Sequence, residues 1–133
     1  MLSKRAAQVM IRQRWGAIIN ITSLGAMLGF PNNPAYIASK GALKQLTMAM
    51  ARDLAQFNIR VNNICPGYIL KDMTRKSHND PFLKSERDKQ IMLGRWGAPE
   101  DLVGPCIFLA SDASQYITGI NLPVDGGWLA NGL

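Results

Sequence analysis

Residues 16–40 read "GAIINITSLGAMLGFPNNPAYIASK". The opening "GAIINIT" is a short apolar run led by glycine, which reads as a buried strand. From Ser23 to Pro34 the chain is punctuated by Gly25, Gly29, Pro31 and Pro34, so no regular period survives and a loop is expected. Beyond the loop, "AYIASKGALKQLTMAMARDLAQF" is the longest helical segment. Leu43, Leu46, Met50, Leu54 and Phe57 mark its apolar stripe.

The same alternation extends in both directions. Upstream, "LSKRAAQVMIRQR" has helical composition, with Leu2, Ala6, Val9 and Met10 at three- and four-residue spacing. Downstream, "NIRVNNICPG" contains a second strand bounded by Asn58 and by Pro66-Gly67. Residues 68–95 are polar, mixed in charge and poorly periodic, which predicts a mobile segment with one or two short helices. "APEDLVGPCIFLAS" starts another helix: Pro99 suits its first position, and Glu100 and Asp101 suit its positive end. Pro105 predicts a kink in the first turns. "GINLPVDGG" is a third short strand. Helix and strand alternate three times, the signature of a parallel α/β architecture.

Composition narrows the function classes. The chain has 133 residues, of which 47% are hydrophobic, enough for one packed domain and too apolar for global disorder. No apolar run reaches the roughly 18 residues of a membrane span. The basic N-terminus lacks an apolar signal core, so the cytoplasm is the expected compartment. The net charge of +6 gathers in residues 1–15 and 71–95. No aromatic residues interleave with these basic residues and no helix-turn-helix or zinc pattern accompanies them, so a solvated basic face is expected rather than nucleic-acid binding. Cys65 and Cys106 form no CxxC pair and both lie in apolar runs, where buried, unreactive thiols are expected. His78 is the only histidine, which argues against a His-rich metal site and against a Ser-His-Asp triad; in "KSHND" it is expected to be solvated.

The residues that carry chemistry lie where the strands end. In open parallel sheets ligands bind outside the C-terminal strand ends. Ser23 ends the first strand, Pro66-Gly67 ends the second, and Tyr36 and Lys40 open the helix after the first loop. Four residues apart, Tyr36 and Lys40 share a helix face. A phenol is a poor base at neutral pH, but an ammonium about 5 Å away, at an effective dielectric of about 20, favours the phenolate by roughly 3 kcal/mol. Such a phenol can exchange a proton with an alcohol or ketone while Ser23 holds the same oxygen. The pair alone is a weak signal, because YxxxK arises easily by chance among three tyrosines and seven lysines. The ordered set of strand, Ser23, loop, Tyr36, Lys40, strand and Pro66-Gly67 is what sharpens it.

Read jointly, "IINITS", "PAYIASKGAL", "IRVNNICPGYI" and "FLASDASQYITGINLPVDGGW" resemble, in order and spacing, the motifs of the short-chain dehydrogenase/reductase family. The resemblance covers essentially the whole chain. "GRWGAPEDLVGPCIFLASDAS" and "VDGGWLA" are similar to sugar-acid and polyol members such as gluconate 5-dehydrogenase. The resemblance implies the C-terminal part of a Rossmann-type doubly wound parallel sheet, about three strands with helices on both faces. It implies one partial NAD(P)-binding domain over residues 1–133, with 68–95 as substrate lid. It also implies an NAD or NADP cofactor, a small alcohol or carbonyl substrate, and a homo-oligomer; the stripe Leu43, Leu46, Met50 and Leu54 is equally expected to serve its interface or to line the core. By position, Tyr36 is the general acid/base, Lys40 activates it and bonds the nicotinamide ribose, and Ser23 orients the substrate oxygen. Tyr36 and Lys40 also face the cofactor, Pro66 and Gly67 shape the nicotinamide pocket, and the Ile69 backbone meets the carboxamide.

Some of the family's pattern is missing. No GxxxGxG turn occurs among the 12 glycines, and that turn is what cradles the cofactor diphosphate at a helix start. The NAG motif and the family's catalytic asparagine are also absent, so a chain beginning inside a helix and an exposed sheet edge are expected. Lys71 stands where the family usually has threonine or serine; it can reach a phosphate as a point charge or point to solvent. Two functions remain: an NAD(P)-dependent oxidoreductase with a Ser-Tyr-Lys site, or a catalytically silent truncated fragment acting by association.

Overall fold

The computed structural model describes residues 2–131. Its elements run α1 (Leu2–Gln13), β1 (Gly16–Ile21), α2 (Pro34–Leu54), β2 (Ile59–Pro66), α3 (Asp72–Asn79), α4 (Pro81–Asp88), α5 (Val103–Ala110) and β3 (Asn121–Val124). The three strands form one parallel sheet in the order β1-β2-β3. Each crossover carries at least one helix, as parallel pairing requires.

The register explains the polar letters inside the strands. Asn20 of β1 lies opposite Asn63 of β2, which lies opposite Asn121 of β3. The three asparagines form a ladder across the sheet, tied to α2 by a buried threonine. Asn20 Nδ2 donates to Thr47 Oγ1 at 2.8 Å, Asn63 Oδ1 lies 2.8 Å from the same hydroxyl, and Asn63 Nδ2 donates to Asn121 Oδ1 at 2.9 Å. Buried amides satisfied in this way fix which strand pairs where, because a slip of one residue would orphan every one of them.

Around the ladder the packing is apolar. On one face Ile18, Ile59 and Val61 meet Ala7 of α1 and Ala51 and Leu54 of α2, with Met10, Ile11, Met50 and Phe57 closing the edges. Each fully buried aliphatic side chain here contributes about 1.5–3 kcal/mol. The neighbouring β2 residues point to the opposite face. There Arg60 caps the end of α5, its Nη1 donating to Leu109 O at 2.9 Å and Ser114 Oγ at 2.8 Å, and its Nη2 to Ser111 O at 3.2 Å. A cation on the last carbonyls of a helix is favourable for both hydrogen bonding and dipole. Helices therefore cover both faces of the sheet.

Several sequence expectations are corrected. In α1 the line turned to the core is Ala7, Met10 and Ile11, while Leu2 and Val9 are exposed. In α2 the buried line is Thr47, Ala51 and Leu54, because the helix seats on the asparagine ladder; Leu43, Leu46, Met50 and Phe57 flank it half-buried. Leu54 is thereby taken by the core and is not available for an oligomer contact. Cys65 is fully buried, but Cys106 is exposed on α5. His78 is not a solvated loop residue: it sits in α3, half-buried, with its ring edge-on to Trp96 at 5.0 Å. The kink expected at Pro105 lies earlier, where a 3₁₀ turn over Pro99–Leu102 gives way to α5.

A bidentate pair holds that turn. Arg95 Nη1 and Nη2 donate to the two Asp101 oxygens at 2.7 and 2.8 Å, and Ala98 N–H donates to Asp101 Oδ2 at 2.7 Å. The Arg95 hydrogen bonds first, then the Ala98 N–H, hold the Asp101 carboxyl far below the usual carboxylate range. A depressed acid contributes stability that is complete above the unfolded aspartate value of about 3.9 and is lost as pH falls below it. Asp101→Asn is therefore expected to lower the midpoint of thermal unfolding at pH 7, with the gap to the parent chain shrinking as pH falls below about 4. A gap independent of pH in thermal melts would contradict this assignment.

Candidate active site

The strand ends and the first loop enclose a cleft of about 660 Å³, within the range of small-molecule sites. Ser23, Tyr36, Lys40, Pro66, Gly67 and Ile69 all line it. The loop brings them together through local rules. Ser23 N-caps a short 3₁₀ turn over Leu24–Ala26: its Oγ accepts the Gly25 N–H at 3.1 Å and keeps its own proton for donation. Pro34 then starts α2, which places Tyr36 and Lys40 in its first two turns.

Lys40 is anchored as well as placed. Its Nζ donates to Ile21 O, the last carbonyl of β1, at 3.1 Å, and lies 5.7 Å from the centre of the Tyr36 ring. The ammonium is thus fixed between the end of the strand and the phenol. Neighbouring Thr22 bonds inward, its hydroxyl lying 3.1 Å from Ile64 O and 2.9 Å from Cys65 Sγ. Burial pushes the Cys65 thiol up, which makes it a poor nucleophile.

The end of β2 forms the floor. Gly67 N–H donates to Val124 O at 3.0 Å, and a Cβ on Gly67 would stand 2.8 Å from Asp125 Cα. Only glycine lets β2 pass the turn after β3 so closely. Gly67→Ala is expected to cost about 1–3 kcal/mol, read as a lower urea midpoint. An unchanged midpoint would contradict the close approach. Ile69 is buried and bridges to Gly97, with Leu70 N–H donating to Gly97 O at 2.8 Å. Lys71 follows, exposed on the cleft wall. Thr74 Oγ1 accepts the Lys71 N–H at 3.0 Å and lies 2.6 Å from Ile69 O, so it holds the start of α3.

Met73, Thr74 and Ser77 of α3 and Arg87 of α4 add a wall to the cleft, beside aromatic contacts that the sequence pattern did not signal. The Tyr68 ring lies tilted at 5.0 Å from Trp96 and at 4.8 Å from Trp128, and Phe30 from the first loop meets both Tyr68 and Trp128 at 6.4 Å. Arg87 of α4 lies over Tyr68, 4.9 Å from its ring centre. Trp96 Nε1 donates to Asp88 Oδ1 at 2.9 Å, which secures α4 from its other end.

Residues 1–129 match the family model described as enoyl-(acyl carrier protein) reductase. The chain belongs to the short-chain dehydrogenase/reductase family. This short-chain dehydrogenase/reductase is 43% identical over 130 residues to 2-dehydro-3-deoxy-D-gluconate 5-dehydrogenase of Dickeya dadantii, covering 97% of this chain and 51% of the relative. It is 48% identical over 118 residues to a 3-oxoacyl-acyl-carrier-protein reductase of Chlamydia trachomatis, covering 89% of this chain and 47% of the relative. Among solved structures, a gluconate 5-dehydrogenase from Burkholderia cenocepacia in complex with NADP and tartrate superposes with a TM-score of 0.91 at 39% identity, covering 93% of this chain and 49% of that one. The short-chain dehydrogenase/reductase chain thus spans about half the length of the relatives it matches.

Proposed function

We propose that this chain carries the substrate end of an NAD(P)-dependent oxidoreductase that interconverts an alcohol and a carbonyl, with a sugar acid or polyol as substrate. The observation that carries this reading is the convergence of Ser23, Tyr36 and Lys40 on the cleft floored by Pro66 and Gly67. The relatives named for gluconate chemistry support the sugar-acid substrate.

The residues present fit the nicotinamide end of a cofactor. Lys40 offers an ammonium, Pro66 and Gly67 a flat floor, and the Ile69 backbone a hydrogen-bonding edge, all facing one cleft. The chain has no GxxxGxG turn for the diphosphate, so only that end has its contacts among these residues. The nicotinamide, when bound, supplies the hydride acceptor or donor. In alcohol oxidation Ser23 donates to the substrate oxygen and orients it. Tyr36 takes the hydroxyl proton as the carbon–oxygen bond becomes a carbonyl. Lys40, held by Ile21 O, places positive charge beside the phenol ring. In reduction the same groups return the proton. Residues 68–95 act as the lid over the bound substrate.

A chain that is silent in catalysis and acts by association is the competing reading. For a homo-oligomer, Leu43 and Leu46 of α2, half-buried and outside the core cluster, remain as contacts. Titrating NADH and NADPH into the purified chain, followed by cofactor and tryptophan fluorescence, separates the readings. Saturation in the millimolar range is expected; no saturable signal would reject cofactor binding, and with it independent catalysis, by this chain.

A further inference from the structure

The walls of the cleft carry three cations, Lys40, Lys71 and Arg87, and no aspartate or glutamate. None of the three is in an ion pair among the described residues; the ion pairs found there use Arg75, Lys84, Lys89 and Arg95. A cleft this positive and this free of counter-charge selects anions. Lys40 is committed to the Ile21 carbonyl and the phenol. Lys71 ends a strand-like segment on the exposed rim. Arg87 differs from both: it comes from the lid, is half-buried, and is oriented on two sides.

The guanidinium carbon of Arg87 lies 4.9 Å from the centre of the Tyr68 ring, and its Nη1 donates to Leu83 O at 3.0 Å. These contacts hold the guanidinium at the cleft wall. Its Nε is enclosed, without a hydrogen-bond partner among the described residues, so the terminal Nη groups are the donors that a ligand meets. A carboxylate takes charge-assisted N–H···O bonds from such a terminal fork, which lysine replaces only as a point charge.

We infer that Arg87 is the specificity-determining residue of this cleft, binding the carboxylate of a hydroxy-acid substrate whose reacting carbon lies at Ser23 and Tyr36. The inference rests on the alcohol/carbonyl reading of the site. It assigns the acid end of the substrate to the lid and the reacting end to α2. A neutral polyol of the same length keeps the second contact and loses the first.

The test is a nitrogen-15 NMR titration of the 133-residue chain with D-gluconate and, separately, with D-glucitol, with and without NADP. Arginine Nε–Hε signals report on Arg87 directly, without any variant. Gluconate is expected to shift the Arg87 Nε–Hε signal and the Ser23 and Tyr36 amides with one saturation curve. Glucitol is expected to leave the Arg87 signal in place and to bind about tenfold more weakly, a difference of about 1.4 kcal/mol. Arg87→Met, which keeps the apolar stem, is expected to remove that preference for gluconate, and Arg87→Lys to restore only part of it. Ser23 and Tyr36 responding while Arg87 stays silent would overturn the inference alone, as would an unchanged preference in a folded Arg87→Met chain. Arg87 responding while Ser23 and Tyr36 stay silent, or no response to gluconate anywhere, would overturn both the inference and the reading beneath it.

Discussion

On the proposed acid/base role, Tyr36→Phe is expected to lower alcohol oxidation by about 10²–10⁴-fold, the usual contribution of a positioned proton-transfer group. The substitution removes one oxygen and keeps the ring. Asn33, Pro34 and the first turn of α2 stay as they are, and Lys40 keeps its bond to Ile21 O. Circular dichroism and the thermal midpoint are therefore expected to be unchanged, which assigns the whole loss to chemistry. The measurement is NADP reduction, followed by absorbance, by a chimera in which residues 1–133 replace the matching half of the Burkholderia cenocepacia gluconate 5-dehydrogenase. Lys40→Met in the same chimera is expected to lose activity too, with a weaker grip on cofactor besides. A Tyr36→Phe chimera with undiminished turnover would end the acid/base assignment.

The largest effect on stability is expected at Asn63. It is fully buried in the central strand, bonds Asn121 and Thr47 directly, and is linked to Asn20 through Thr47. Asn63→Ala leaves the Asn121 side-chain carbonyl without its donor and opens a void against α2. A stranded buried polar group costs about 1–3 kcal/mol and the cavity adds to it, so a loss of about 3 kcal/mol or more is expected in urea unfolding. Thr47 still has Leu43 O at 3.0 Å as an alternative acceptor, so in Asn63→Ala the stranded group is the Asn121 carbonyl. Thr47→Val takes the hydroxyl from both Asn20 and Asn63 and is expected to destabilise as well; an unchanged urea midpoint in both variants would mean that the ladder is not what pins α2 to the sheet.

What the sequence made legible was local. Glycine and proline between Ser23 and Pro34, and Asn58 with its positive φ of 60° at the end of α2, mark where elements stop. The strands, the long helix and the convergence of Ser23, Tyr36, Lys40, Pro66 and Gly67 on one cleft follow from those marks and from strand-end geometry, while Ile69, which lines the same cleft, was implied only by the family resemblance. What it hid was non-local. Asn20, Asn63 and Asn121 are 43 and 58 residues apart in pairs, and only the register shows that they meet. That register moved the buried line of α2 to Thr47, a polar letter inside an apolar stripe. In α1 two overlapping stripes exist, one through Leu2 and Val9 and one through Ala7, Met10 and Ile11, and periodicity cannot choose between them. His78 read as a solvated loop residue and Arg87 carried no signal of its own, because their aromatic partners, Trp96 and Tyr68, lie elsewhere in the chain.

On the proposed reading, hydride leaves a substrate carbon seated in this cleft. D-Gluconate deuterated at the carbon that bears the reacting hydroxyl, given to the chimera with NADP, follows that hydride. The deuterium is expected on the nicotinamide ring of the NADPH formed, with Tyr36→Phe slowing its arrival without changing its destination. NADPH formed without deuterium, or no NADPH from a folded chimera, would contradict it.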